Sequence, residues 1–482
     1  MRIIIDFSSL ALAPVYALLV GIILVLIADV LLREEAKNVE VAISTLTLLA
    51  AAGFAFLAEG KDLGDGGLFL FGKFFLAFTL FGTLSSVIVV FAAWKDMEME
   101  LDLGVFFSLL MLANIGGILV ASSRNFIPLY LGYELVSIPT YAMVAFRKKN
   151  RNVAESGMKI FLLGALSSAF IIYGLAMYYG ATGSFYFGAA MLDGADNLRF
   201  LAVGLIAAGC SFKIGLVPFH FWIPDVYSGA PTSVVNFLAA SSKKMAFAFV
   251  FQLFFFGIDR SIDRSWGILF AVLATASIAV GNIAAVIQDR VMRILAYSTV
   301  AQAGYIAIGV AAYGYAAGDT SIETTAMQGI LMHITAHIMM KSAAILVVML
   351  VIASFGDDHI NNFKGLFHKN PLIASSVLIA MLSLMGIPPF AGFFGKYFLF
   401  LAAVRAGLTW LTVVGIVGSA ISIYYYGRII RIMADKPDND TTIEIHPGVA
   451  VMLTILTLGT VLLGIFSNGI FQFAHDLIYQ LP

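Results

Sequence analysis

Charge is what this sequence has least of. Asp, Glu, Lys and Arg make up 12% of its 482 residues, about half the roughly 25% of an average soluble domain. So few charges cannot clothe a water-facing surface of this length, and the solvent is therefore lipid. Neither sign dominates: a net charge of −1 provides no basic field for nucleic acid and no acidic tail for a basic partner. Cysteine is almost missing too. A single Cys210, inside an apolar run, excludes a disulfide framework and a Cys-ligated zinc or iron–sulfur centre. Redox chemistry is expected to belong to other chains.

What is present is apolar, 61% of the residues. A helix needs about 20 apolar residues to cross the hydrocarbon core. Cutting the chain at its charged or Gly/Pro/Asn-rich breaks leaves fourteen spans, at 9–32, 41–58, 68–94, 104–122, 125–146, 157–180, 200–224, 232–256, 265–287, 293–314, 326–353, 372–402, 408–432 and 446–471. The first is too long for a signal peptide and carries no small-residue cleavage motif. The expected fold is an all-α polytopic membrane protein. Loops after odd-numbered spans carry 14 Lys and Arg, among them Arg147, Lys148, Lys149 and Lys369, against 7 on the other side, among them Arg2 and Arg405. The positive-inside rule then places the richer loops in the cytoplasm and both termini outside the cell membrane.

Seven basic residues remain within spans, and all are lysines: Lys73, Lys159, Lys213, Lys243, Lys244, Lys341 and Lys396. A buried charge in a span costs at least a few kcal/mol and marks function by default. Lys73 and Lys159 lie near span ends, within reach of a headgroup. The mid-span lysines cannot snorkel. Glu134, in LYLGYELVSIP, is the only carboxylate read at comparable depth. One glutamate among several lysines suits protons, because a desolvated lysine, unlike an arginine, can lose and regain its proton. Sodium would ask for several hard oxygen ligands. His333, His337 and Lys341 follow at i, i+4 and i+8 along one helical face, the spacing of a proton wire. A metal site there lacks a third ligand. His220 sits beside Pro218 as a further relay candidate or as a partner for freed backbone.

Two spans are interrupted by proline: the seventh at Pro218 and Pro224, the twelfth at Pro388 and Pro389. They are five spans apart, which predicts two inverted five-helix repeats, spans 4–8 and 9–13, with ion sites near the broken helices. The chain then divides into an N-terminal three-helix segment (1–103), a first repeat (104–256), a second repeat (265–432) and a C-terminal helix (433–482).

The segments LGYELVSIPTYAMVAF, GMKIFLLGALSSAFIIYGLAMYYGATGS, GCSFKIGLVPFHFWIPDVYSGAPTSVVNFLAASSK, QDRVMRILAYSTVAQAGYIAIG, LSLMGIPPFAGFFGKYF and VVGSAISIYYYGRII, in this order over most of residues 100–432, resemble the N subunit of respiratory complex I. The resemblance implies an antiporter-like subunit of a proton-translocating NADH:quinone oxidoreductase that performs no redox chemistry and binds no cofactor itself. Flavin, iron–sulfur clusters and a quinone-like acceptor would sit in partner subunits, and the neighbours would be M-, L-, K-, J- and H-type membrane subunits. Carried over by motif, the proton-translocating residues are Glu134, Lys159, Lys213, Lys243 and Lys396. Lys341 joins them from the basic series of span eleven, with His220, Lys244, Arg293, His333 and His337 as relay candidates. That basic series resembles M- and L-type subunits, and archaeal N subunits of deazaflavin-dependent dehydrogenases share it. The same fold serves D-type subunits of sodium/proton antiporters and the ion modules of membrane-bound hydrogenases, and a passive membrane scaffold is the reading from another class. Glu134 and Lys213 are expected to pair, and Lys213, Lys243, His337, Lys341 and Lys396 to share one hydrated path.

Overall fold

The computed structural model describes residues 9–32, 35–61, 63, 67–96, 102–147, 150–190, 192, 194–437 and 443–479. Arg2, Lys148 and Lys149 of the loop asymmetry lie outside the described residues. In hydrocarbon each backbone amide must be satisfied within its own segment, so the apolar runs become helices. In chain order they are α1 (Ala13–Leu32), α2 (Ala36–Ala58), α3 (Lys73–Asp96), α4 (Leu103–Ser122), α5 (Phe126–Val144), α6 (Arg151–Thr182), α7 (Asp196–Ile214), α8 (Trp222–Gly229), α9 (Thr232–Phe237), α10 (Lys243–Phe251), α11 (Asp263–Val286), α12 (Val291–Ala316), α13 (Thr320–Phe355), α14 (Leu366–Lys369), α15 (Pro371–Met385), α16 (Ala391–Arg405), α17 (Thr409–Ala434), α18 (Pro447–Ile465) and α19 (Asn468–Tyr479).

Among the described residues, twelve helical segments are long and apolar enough to cross a membrane. The more polar α5 and the divided pair α15–α16 complete the fourteen spans read from sequence. The last expected span ends early, at Ile465, and Ser467 separates it from α19. Polar side chains close the helix ends: Asp319 accepts from the amides of Ser321 and Ile322 to start α13, and Gly356, left-handed at φ +86°, stops it.

The chain forms two compact units. The first comprises residues 1–214 and 241–266, the second 215–240 and 267–481. This division cuts within the broken seventh span and again within the eighth, and so does not follow the 104–256 and 265–432 limits of the expected repeats. In the first unit α1, α2 and α4 pack together, α4 pairs with α5, α6 lies along α7, and α10 inserts against α3, α4 and α7. In the second, α13 is the central element, contacting α12, α15, α16, α18 and α19. Small residues bring α13 and α16 into backbone contact. A Cβ on Gly395 would lie 2.7 Å from the His333 Cα, and one on Gly329 2.6 Å from the Leu399 amide nitrogen.

Both expected breaks are present and share one local pattern. Gly215 at φ +79° follows α7 and is succeeded by a cis Val217–Pro218 bond; Gly386 at φ +87° ends α15 and is succeeded by a cis Pro388–Pro389 bond. Pro224 corrects the expectation of a second break in span seven. It lies in the first turn of α8, where an amide has no intrahelical partner to lose, so it opens that helix. Span eight carries an interruption that no proline announces: π-helical turns at Leu238–Ser242 and Gln252–Gly257 flank α10. Such turns cluster at functional sites, and the first ends directly before Lys243.

Candidate functional site

In the first unit α5 supplies a polar face through YxxYExxS. Glu134 accepts from the Ser168 hydroxyl of α6 at 2.5 Å and lies within hydrogen-bonding reach of Tyr130. Lys213, in the last turn of α7 and 3% exposed, donates to the Ser137 hydroxyl at 3.1 Å, with its ammonium 4.9 Å from the Tyr141 ring centre. Ser137 is one turn beyond Glu134 on α5. Glu134 and Lys213 thus feel each other's charge without forming an ion pair, each bound to its own serine. A cavity of about 690 Å³ opens beside Glu134, lined by Ser168, Tyr141, Ile138, Met158 and Phe161 among others. Lys243 and Lys244 open α10, each 2% exposed. Lys159, on the same helix as Ser168, has a side chain 39% exposed and pairs with Glu155 at 2.8 Å.

In the second unit the basic series on α13 is fully buried, with His333, His337 and Lys341 all at most 1% exposed. The two imidazole rings are 6.4 Å apart, and His333 is 6.3 Å from the Tyr305 ring. Lys341 donates to the Leu295 carbonyl at 2.8 Å and to the Ser298 hydroxyl at 2.7 Å. Ser298 shares a short hydrogen bond with the Tyr426 hydroxyl, which also meets Gln302. The Gln302 amide donates to the Leu384 carbonyl at 3.3 Å.

That carbonyl is also bound from the other side. Lys396, from α16 and 4% exposed, donates to Leu384 O at 3.0 Å and Met385 O at 3.1 Å. The break after Met385 leaves the last carbonyls of α15 without intrahelical donors, and the ammonium takes their place at the negative end of the helix dipole. Lys396 also stands 4.5 Å from the Tyr305 ring centre. Tyr305 in turn touches Asn282 and Ser419, and Asn282 accepts from Tyr425 at 3.0 Å.

Arg293 and His220 make local contacts. Arg293 donates to Gln288 at 3.2 Å near the start of α12, and His220 lies in the turn after Pro218, against Phe221. Sequence reasoning missed Ser298, Gln302 and Tyr305, although their i, i+4, i+7 spacing marks a polar stripe on an otherwise apolar helix. It also missed Glu40, 2% exposed in α2, because the second span was started one residue after it.

Comparison with known proteins agrees with this architecture. Residues 123–422 match the family described as NADH:quinone oxidoreductase/Mrp antiporter, transmembrane. The NADH-quinone oxidoreductase subunit N of Nitrosomonas europaea is 35% identical over 94% of this chain and 95% of its own. The F(420)H(2) dehydrogenase subunit N of Methanosarcina mazei is 34% identical over 96% and 97%. Among solved structures, a chain of respiratory complex I from Thermus thermophilus with bound aureothin superposes with a TM-score of 0.80 at 30% identity, covering 95% of this chain and 98% of that one. A chain of the Mrp complex from Dietzia, at 18% identity and a TM-score of 0.82 over 98% and 97%, shares the fold. By its matched core and by relatives that span nearly its whole length, the chain belongs to the NADH:quinone oxidoreductase/Mrp antiporter transmembrane family, among the N-type subunits.

Proposed function

We propose that this chain is a proton-translocating subunit in the membrane arm of a complex I-type dehydrogenase, and that its own buried lysines and hydroxyls carry the proton while partner subunits carry the electrons. The single observation behind this reading is the arrangement between Lys341 and Lys396. Two ammonium groups, each almost fully removed from solvent, are joined through Ser298, Tyr426, Gln302 and the Leu384 carbonyl. Lysine can take up and release a proton, and the serine and tyrosine hydroxyls can hand one on. The Gln302 amide and the Leu384 carbonyl cannot, so a water must complete the relay at that end. In the first unit Glu134, Ser137 and Lys213, with the neighbouring Lys243 and Lys244, offer the same chemistry with one carboxylate added. His333, His337 and Tyr305 supply further groups able to hold or pass a proton.

Flavin, iron–sulfur clusters and the quinone-like acceptor belong in this reading to other subunits, with M-, L-, K-, J- and H-type chains as membrane neighbours. Both termini face outward from the cell membrane in this reading, which the loop asymmetry supports. The names of the relatives support a dehydrogenase fed by NADH or by a reduced deazaflavin.

The complex that co-purifies with the chain, reconstituted in proteoliposomes, should acidify or alkalinise the lumen during donor oxidation, and Lys341→Met should abolish most of that flux. Full flux in this variant, or co-purification with sodium/proton antiporter subunits and no dehydrogenase, would contradict the reading.

A further inference from the structure

Two carboxyl groups outside the lysine series meet among the N-terminal helices of the first unit. Asp29 is in the last turn of α1 and Glu40 in the second turn of α2. Both converge on Gly104, in the first turn of α4: a Cβ there would lie 2.9 Å from the Asp29 Cγ and 2.9 Å from the Glu40 Oε1. The two carboxyls lie within hydrogen-bonding reach of each other. A carboxylate can only accept, so two carboxyls this close can bond to each other only by sharing a proton.

Glu40 is 2% exposed, and its Oε1 has no hydrogen-bond partner; the Ser44 hydroxyl, fully buried one turn further along the same face of α2, has none either. Buried oxygens left open in this way cost free energy unless something fills them. Among the described residues neither carboxyl has an ion-pair partner. Among the described residues, the other charged groups on these elements are Glu35 before α2, Lys37 on α2, Asp102 before α4, and Lys73 and Asp96 on α3, of which Asp96 pairs with Arg147 at 3.8 Å. Gly104 lies in the first turn of α4, so the positive end of that helix's dipole is beside the pair and favours negative charge there.

We infer that Asp29, Glu40 and Ser44 form a site for one small monovalent cation, either a proton shared by the carboxyls or a sodium ion held by their oxygens and the serine hydroxyl. The site is independent of the lysine series. It gives the N-terminal helices an ion-binding role of their own.

Infrared difference spectroscopy on the full chain in its native complex tests this directly. Between about pH 5 and about pH 9 the wild type should lose a protonated-carboxyl C=O stretch that Glu40→Gln lacks. Loss of the same band on adding sodium chloride at fixed pH, but not choline chloride, identifies sodium as the occupant; indifference to sodium identifies the proton. Spectra of Glu40→Gln that match the wild type overturn the site. If Glu40→Gln does not assemble, Asp29→Asn is read instead. It should move the pH at which the band disappears by about one unit or more, and an unchanged titration overturns the proposal equally.

Discussion

The Lys396 ammonium binds the Leu384 carbonyl at 3.0 Å, across the gap that divides α15 from α16. The break in the twelfth span therefore serves a charge: a continuous helix would have consumed that carbonyl in its own ladder. Gln302 holds the same oxygen from α12, so any movement of Lys396 is felt on the helix that also carries Ser298.

Lys396→Met removes the donor on the Met385 carbonyl and leaves the Leu384 carbonyl to Gln302 alone, at a cost of about 1–3 kcal/mol. It should also remove one end of the relay. Proton flux in proteoliposomes is expected to fall at least tenfold while the complex still assembles; unchanged flux would remove Lys396 from the pathway.

Tyr426→Phe deletes only the hydroxyl between Ser298 and Gln302. Its effect on stability should be about 1 kcal/mol, measured as a small shift in thermal unfolding, with proton flux reduced several-fold. A variant that loses stability but pumps normally would make Tyr426 a purely structural group.

Glu134→Gln should impair pumping more than Glu134→Asp, because the amide keeps the bond to Ser168 and loses the charge that acts on Lys213. Equal proton-to-electron ratios for both variants and the wild type would end the electrostatic role of Glu134.

Gly395→Ala places a methyl 2.7 Å from the His333 Cα. Backbone cannot step aside as a flexible side chain can, so α13 and α16 must separate, at roughly 1–3 kcal/mol. Thermal unfolding should register the loss, and a wild-type midpoint would show that α13 and α16 do not pack this closely.

Single cysteines at Lys369 and Arg405 should label from opposite faces of the membrane, Lys369 from the cytoplasm. Labelling from one common face would show the span count between them to be wrong by one.

The membrane character, the spans and both proline breaks could be read directly, because hydropathy and proline act locally. So could the buried lysines, since a charge in an apolar run stands out. Other features depended on neighbours that a single segment does not reveal. Glu134 and Lys213 were each the obvious partner of the other, yet Ser168 and Ser137 stand closer and take the hydrogen bonds. Lys159 belongs to the lysine series by sequence, and only the fold adds Glu155, one turn back on α6, as its ion-pair partner. The π-turn before Lys243 carries no proline or glycine cue. Glu40 sat just outside a span boundary, and boundaries are the least certain part of any hydropathy reading.

The ratio of protons moved to electrons transferred, measured in proteoliposomes with the Lys341→Met, Lys396→Met double variant, tests the central claim most directly. The account predicts that electron transfer by the complex becomes uncoupled or stalls, with the ratio falling below that of the wild type. A wild-type ratio at a wild-type rate would contradict it, and would leave the buried lysines of the second unit as structural pins.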